Sequence, residues 1–323
     1  MTSDRNAINR RGFFRGAAAL TLGGLSAGKL QAQTADADPR TDYVASLLHA
    51  QTQQAQRWGG NDPADFVRPR RGADHNVVIV GGGQSGTAIA YGLRRKGIGR
   101  VSIIEQADTG QAGIWRKIAR MHQLRTPKSM RGPEGDNPML SVRGWYETLH
   151  GAAAWDALDR IPRLAWAEYL DWLRAVTGTE IRYRTRLLEI EPQGDMLRLH
   201  LETEGVRREE TTRKLVLANG YAGAGGANLP GFLEALPEAF WSHTSQEINF
   251  EPMANKVIAI IGAGSSAFDA AAVALEAGAA EVHMLNRRPY VDYPGGSRID
   301  GTNERGHANG LGLTYELPDA LRW

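Results

Sequence analysis

The strongest constraint in the chain is a pattern that occurs twice. The stretches "VVIVGGGQSGTAIA" (residues 77–90) and "VIAIIGAGSSAFDAAA" (residues 257–272) each pass from apolar β-formers through a glycine turn into a run of small residues. A short apolar run stopped by glycine and followed by helix formers predicts a buried strand feeding directly into a helix. In the first copy, a helix expected over 87–96 and a second apolar strand at 101–104 complete a βαβ unit. Two such openings predict an α/β chain with two Rossmann-like dinucleotide-binding domains.

The first turn holds Gly81, Gly83 and Gly86 at the spacing G-x-G-x-x-G, with Gln84 and Ser85 inside it. The first glycine permits the tight turn, the second lets a pyrophosphate approach the backbone, and the third lets helix and strand pack closely. The helix start then offers free N–H groups and a partial positive charge to the anion. Glu105 ends the next strand, 22 residues after Gly83, where a carboxylate accepts hydrogen bonds from ribose hydroxyls. The second turn holds Gly262 and Gly264, with Ala267 in the third place and Ser265 and Ser266 opening the helix. The same 22-residue count from Gly264 reaches Asn286, followed by Arg287 and Arg288. A neutral residue followed by two guanidinium groups attracts a 2′-phosphate, which a carboxylate there would repel. The acidic copy therefore suits the adenosine ribose of FAD, and the basic copy suits NADP(H).

Length and composition set the frame for these units. A chain of 323 residues with 42% hydrophobic and 23% charged residues has room for about two ordinary domains. A formal net charge of +2, spread among acidic residues, calls for neither nucleic acid nor an anionic membrane as partner. The chain has no cysteine, which excludes disulfides, thiolate metal sites and a dithiol redox pair within it. Redox chemistry then belongs to a bound cofactor, and no His/Asp/Glu spacing suggests a metal.

Residues 1–37 carry the parts of an export signal. Arg10 and Arg11 precede Phe13 and Phe14, and a mildly apolar run over 17–28 follows. That run is far short of the roughly 20 residues that cross a bilayer as a helix, so no stable membrane span is expected. Ala32, Ala35 and Ala37 supply small residues for cleavage. The arginine pair resembles a twin-arginine signal, which implies the twin-arginine export machinery as a partner and a periplasmic destination. Residues 38–73 read as a linker with a helix around 43–56, residues 74–240 as the first dinucleotide domain, and residues 241–323 as the second. Within the first domain, a helix over 162–178 is expected to bury Leu164, Ala165, Tyr169, Trp172, Leu173 and Val176. "MLRLHLETEG" alternates at Leu197, Leu199 and Leu201 like a strand, and "RKLVLANG" reads as a short buried one.

In order along residues 76–288, the chain resembles the flavin-dependent monooxygenases of the two-dinucleotide-domain class, which include the flavin-containing, Baeyer–Villiger and N-hydroxylating enzymes. "VVIVGGGQSGTAIAYGLRR" resembles their FAD fingerprint, "AGIWR" their Gly-Gly-x-Trp-Arg segment, and "LRTPK" the Thr-Pro-Lys loop beside the flavin. "LVLANGYAG" resembles the turn linking their domains, and "WSHTS" with the second glycine turn resembles the entry to their NADP domain. The resemblance implies that NADPH reduces FAD and that a C4a-(hydro)peroxyflavin passes one oxygen atom from O2 to a small organic substrate. It also implies that Gly81, Gly83, Gly86 and Glu105 bind FAD with Trp115, Arg116 and Thr126 near it, and that Gly262, Gly264, Ser265, Arg287 and Arg288 bind NADP.

The resemblance assigns no catalytic acid or base. His243 lacks the Baeyer–Villiger sequence context, Asp269 sits where a helix dipole favours an acid, and Lys128 reads as a loop charge. In the resembled family the chain returns to close the first domain with a strand ending in Gly-Asp. The tail 289–323 holds no such pair, so both domains are expected to be incomplete. An NADPH-dependent flavin reductase or oxidase without oxygen transfer, and a non-catalytic dinucleotide-binding remnant, stand as alternatives. Neither the oligomeric state nor the substrate is legible in the residues.

Overall fold

The structure is a computed structural model and describes residues 39–58, 63–135, 137–223, 225–262 and 264–285. Backbone contacts divide the chain into a unit of residues 1–42 and a unit of residues 43–323. The export-signal reading and the positions Asn286, Arg287 and Arg288 lie outside the described residues. Of the first unit, only the opening of helix α1 (Pro39–Trp58) is described, and that helix is longer than the sequence suggests.

The larger unit is built on a five-stranded sheet in the order β2-β1-β5-β4-β3. β1 (His75–Val80) lies between two parallel neighbours, β2 (Val101–Ile104) and the end of β5 (Val206–Leu217). Its Val77, Val78 and Ile79 are all buried, the continuous apolar run of a strand covered on both faces. Val77 and Ile79 point to helix α2 (Gln84–Arg95), packing with Ala90 and Ile103. Val78 points the other way, into a cluster with Ile104, Leu199 and Leu201. That division is the period-two alternation of a pleated strand.

The opposite end of the sheet is antiparallel. β3 (Thr185–Gln193), β4 (Met196–Thr203) and the first half of β5 form a meander, with Leu199 and Leu201 of β4 buried as the alternation predicts. β5 is longer than the short strand expected from "RKLVLANG". Its polar first half pairs with β4 and its apolar second half with β1, so one strand joins the two kinds of pairing.

A helical layer follows β2 in the chain, made of α3 (Val142–His150), α4 (Ala152–Ala157) and α5 (Arg163–Val176). Its core is aromatic, with Trp145, Trp155, Trp166 and Tyr169 packed around Leu140, Leu170 and Leu173. The buried face of α5 differs from the expectation. Leu164 is 49% exposed, whereas Trp166, Ala167, Leu170 and Arg174 are buried. The helix packs on the aromatic core along one side and on the first glycine turn along the other, which widens its buried face and displaces Leu164 to the rim.

The second glycine unit comprises β6 (Val257–Ile261), α6 (Ser265–Glu276) and β7 (Glu281–Leu285), with β6 and β7 parallel. Ala271 and Ala274 of α6 pack on Val282, with Ile258 and Ile260 beside them. Small side chains let helix and strand approach closely. Among the described residues this sheet has two strands, and Val257 and Ile261 face outward.

Candidate dinucleotide sites at the two glycine turns

The first turn is held by steric necessity. Gly81 has φ +105°, and a Cβ there would lie 2.4 Å from the Ala218 carbonyl oxygen at the end of β5. A Cβ on Gly86 would lie 1.9 Å from the carbonyl oxygen of Gly81, so only glycine lets α2 begin this close to β1. At Gly83 the nearest neighbour of such a Cβ would be the Gly113 Cα at 3.4 Å, an ordinary contact. The backbone of "AGIWR" therefore lies against the middle glycine, as a segment cradling the same ligand should.

Glu105 stands at the end of β2, as its spacing predicts. Its Oε2 accepts from the Gly82 N–H (2.9 Å) and its Oε1 from the Ala107 N–H (3.0 Å). A carboxylate has about four acceptor positions, so each oxygen keeps one for a ligand hydroxyl. Gln84 is fixed by the Trp166 indole N–H, which donates to its Oε1 (3.2 Å), and Trp166 meets Trp115 edge-on at 6.4 Å. Ser85 is exposed at the helix start and lines a cavity of about 400 Å³ with Ile89, Leu217, Ala218, Asn219, Gly220 and Gly223. This cavity opens at the carboxyl ends of parallel strands beside the glycine turn, the place where open α/β sheets bind ligands.

Two arginines that the sequence reading passed over hold this region. Arg174 of α5 is 7% exposed and donates to the Gly82 carbonyl (3.0 Å), the Thr87 hydroxyl (3.0 Å) and Asp171 (2.8 Å). Asp171 also pairs with Arg116 at 2.5 Å, which ties the predicted Arg116 to the turn through two links. Arg163 donates to the carbonyls of Trp115 and Met121, and burial lowers its pKa. No fingerprint contains these residues. The available signal was two arginines on the apolar side of an amphipathic helix, where an unpaired charge would be costly.

The structure thus gathers Gly81, Gly83, Gln84, Gly86, Glu105, Trp115 and Arg116 around one turn, with Ser85 at its mouth. Thr126 stands exposed on the following loop, and Lys128 has a structural task. Its ammonium donates to the Trp155 carbonyl (2.8 Å) and the Asp156 carbonyl (3.1 Å) at the end of α4, with the Trp155 ring 5.5 Å away. His243 is turned onto its own loop, its Nδ1 2.7 Å from the Ser245 hydroxyl.

The second turn is looser. Gly262 has φ +129°, and a Cβ there would meet the Ala267 Cβ at 3.8 Å, an ordinary contact. A Cβ on Gly264 would meet nothing within 4 Å. The start of α6, with Ser265 half-buried and Ser266 exposed, is open in front of the turn. Among the described residues, no group of three or more His, Asp or Glu stands together to hold a metal ion. No described helix is long and apolar enough to cross a membrane.

Comparison with known proteins places these features. A curated FAD-dependent urate hydroxylase from Xanthomonas campestris is 41% identical over 287 residues, which cover 87% of this chain and 59% of that protein. The chain therefore spans well under two thirds of that relative's length. Two solved structures share the fold at low identity. The ornithine hydroxylase of Pseudomonas aeruginosa superposes with a TM-score of 0.58 at 23% identity, covering 76% of this chain and 62% of its own. The FAD-bound cadaverine monooxygenase of Erwinia amylovora, from the desferrioxamine pathway, also scores 0.58, at 17% identity over 76% of this chain and 58% of its own. The sequence profile of the pyridine nucleotide-disulphide oxidoreductases matches residues 75–302, from the first residue of β1 to beyond β7, and the chain belongs to that family.

Proposed function

We propose that the chain acts as a flavin-dependent monooxygenase, with FAD at the first glycine turn and NADP(H) at the second, delivering one oxygen atom from O2 to a small organic substrate. The observation that carries this reading is the fit of the first turn to a flavin dinucleotide. Gly83 is open to an anion at the start of α2, Glu105 keeps acceptor positions for ribose hydroxyls, and the Gly113–Arg116 segment lies alongside. When bound, FAD supplies hydride acceptance from NADPH and activation of O2. The protein's part is to hold the pyrophosphate at the helix start, orient the ribose through Glu105, and keep the turn rigid through Arg174.

Several finer points belong to the same proposal. The domains run over 74–240 and 241–323, and Arg287 and Arg288 select NADP(H) over NAD(H). Residues 1–37 direct export by the twin-arginine machinery to the periplasm. The similarity to a urate hydroxylase supports a nitrogen-rich heterocycle such as urate as the substrate class.

The test is anaerobic reduction followed by oxygenation. Purified protein with FAD should show a two-banded visible spectrum that bleaches with NADPH, and air with substrate should return the spectrum with oxygenated product. Hydrogen peroxide in place of product indicates a reductase or oxidase. Protein that is purified colourless and retains no flavin after mixing with FAD and removal of the free cofactor refutes the proposal in favour of a remnant.

A further inference from the structure

The segment Lys117–Arg125 joins the two glycine units in a way that neither fingerprint specifies. It is anchored first to its own side. Arg163 donates to the Trp115 and Met121 carbonyls, Gln123 bridges to Pro162, the Leu124 N–H donates to the Ile161 carbonyl (2.8 Å), and Arg160 donates to the Arg125 carbonyl (2.7 Å). The side chains then reach across. Arg120 donates to the Thr244 carbonyl (2.9 Å) and the Gln246 carbonyl (2.7 Å), in the link that precedes β6. His122 meets Glu276 at 3.0 Å, and Arg125 meets Asp269 at 2.5 Å and the Ser265 carbonyl at 3.3 Å. Ser265, Asp269 and Glu276 fall within about 40° of one another on α6 at roughly 100° per residue. The strap therefore grips one face of that helix from its first residue to its last.

The contact at the helix start bears on ligand charge. Asp269 is the fifth residue of α6, and its side chain is 17% exposed. A carboxylate there stabilises the helix but opposes an anion brought to the free N–H groups of the same turn. Arg125 cancels that charge from the other unit, and its guanidinium remains half-exposed. We propose that the strap is a positioning device that sets the second glycine turn relative to the first. Within it, Arg125 is the positioning residue that neutralises Asp269 and so lets the start of α6 accept a nicotinamide dinucleotide phosphate. This inference rests on the proposed dinucleotide role of the second turn.

The test needs no turnover. Calorimetric titration of the FAD-loaded full chain with NADP+ should show Arg125→Ala weakening binding about tenfold, the effect of a carboxylate within a helical turn that loses its paired cation and keeps only the through-space charge of Arg120. FAD content and melting temperature should stay near wild type. Arg125→Lys should recover affinity to within about threefold of wild type, since the charge rather than the fork is needed. The exchanged pair Arg125→Asp with Asp269→Arg should bind more tightly than Arg125→Asp alone. Lys117→Ala, which breaks only the exposed 3.4 Å pair with Glu247, should change nothing. Unchanged NADP+ affinity in Arg125→Ala overturns the proposal, as does an equal loss in Lys117→Ala. A wild-type chain that binds FAD but takes up no NADP+ overturns the dinucleotide reading of the second turn, and this inference with it.

Discussion

Replacing Arg174 by methionine tests how the first glycine turn is kept in shape. Methionine fills much of the same volume and has good helix propensity, so α5 itself should persist. The lost interactions are specific: the bonds to the Gly82 carbonyl and the Thr87 hydroxyl, both 3.0 Å, and the 2.8 Å pair with Asp171. Asp171 is partly exposed and keeps Arg116, so its share of the loss is small. Gly82 and Thr87 are buried, the Gly82 carbonyl would keep only a long 3.4 Å bond from the Thr87 hydroxyl, and each buried acceptor that loses its good donor costs about 1–3 kcal/mol. Allowing for some relaxation, the variant should lose about 2–4 kcal/mol, which lowers Tm by roughly 5–15 °C for a domain of this size. The Gly82 N–H donates to Glu105, so a displaced Gly82 also disturbs the ribose-binding carboxylate, and flavin content should fall with stability. Thermal melts with flavin absorbance per protein read both effects. An Arg174→Met protein that melts within about 2 °C of wild type with full flavin content would refute the claim that Arg174 holds the turn.

Other substitutions separate the roles of single residues. Gly86→Ala puts a Cβ 1.9 Å from the Gly81 carbonyl and should prevent folding or flavin uptake, whereas Ala267→Gly at the equivalent place of the second turn should cost only about 1 kcal/mol. Soluble expression and flavin content distinguish the two. Lys128→Met removes the donor at the end of α4 and should cost about 1 kcal/mol in chemical denaturation with flavin uptake unchanged; lost uptake would give Lys128 a role at the site after all. Burial works to raise the pKa of Glu210, but hydrogen bonds from Arg182 (2.5 and 2.8 Å) and His75 (2.8 Å) outweigh it and hold the carboxyl below its ordinary value. A depressed folded pKa means stability that is present above the unfolded carboxyl range and lost as pH falls through the folded value. Glu210→Gln should therefore be less stable than wild type at neutral pH, with the gap narrowing below the ordinary value of 4.5. Melts from neutral to acid pH follow that gap, and a gap constant with pH contradicts the assignment.

The two βαβ openings were legible because they combine signals of different kinds. Val77–Ile79 are apolar without interruption, the glycines are required by backbone geometry, and Glu105 lies at a spacing fixed by the unit itself. The meander was legible in part, through the alternation of Leu199 and Leu201. The length of β5 was not, because a polar first half that pairs with β4 looks like a loop until its partner is known. The buried face of α5 was misplaced because periodicity reports one face, while this helix packs on two neighbours. Arg174 and Arg163 were missed for a related reason. A buried arginine is recognised by the carbonyls it satisfies, and the carbonyls of Gly82, Trp115 and Met121 come from distant parts of the chain. The strap from Lys117 to Arg125 is likewise visible only where α6 lies beside it.

Whether the first glycine turn holds a flavin dinucleotide is tested most directly by Gly83→Ala. A Cβ at Gly83 makes only a 3.4 Å contact with the Gly113 Cα, so the variant should fold with a near-wild-type circular dichroism spectrum and melting temperature. The added methyl nevertheless occupies the face where a pyrophosphate must approach the backbone. Equilibrium titration with FAD should give one bound flavin per wild-type chain and a large loss of affinity in Gly83→Ala. A well-folded Gly83→Ala protein that binds FAD as tightly as wild type, or a wild-type chain that binds none, would contradict the central claim.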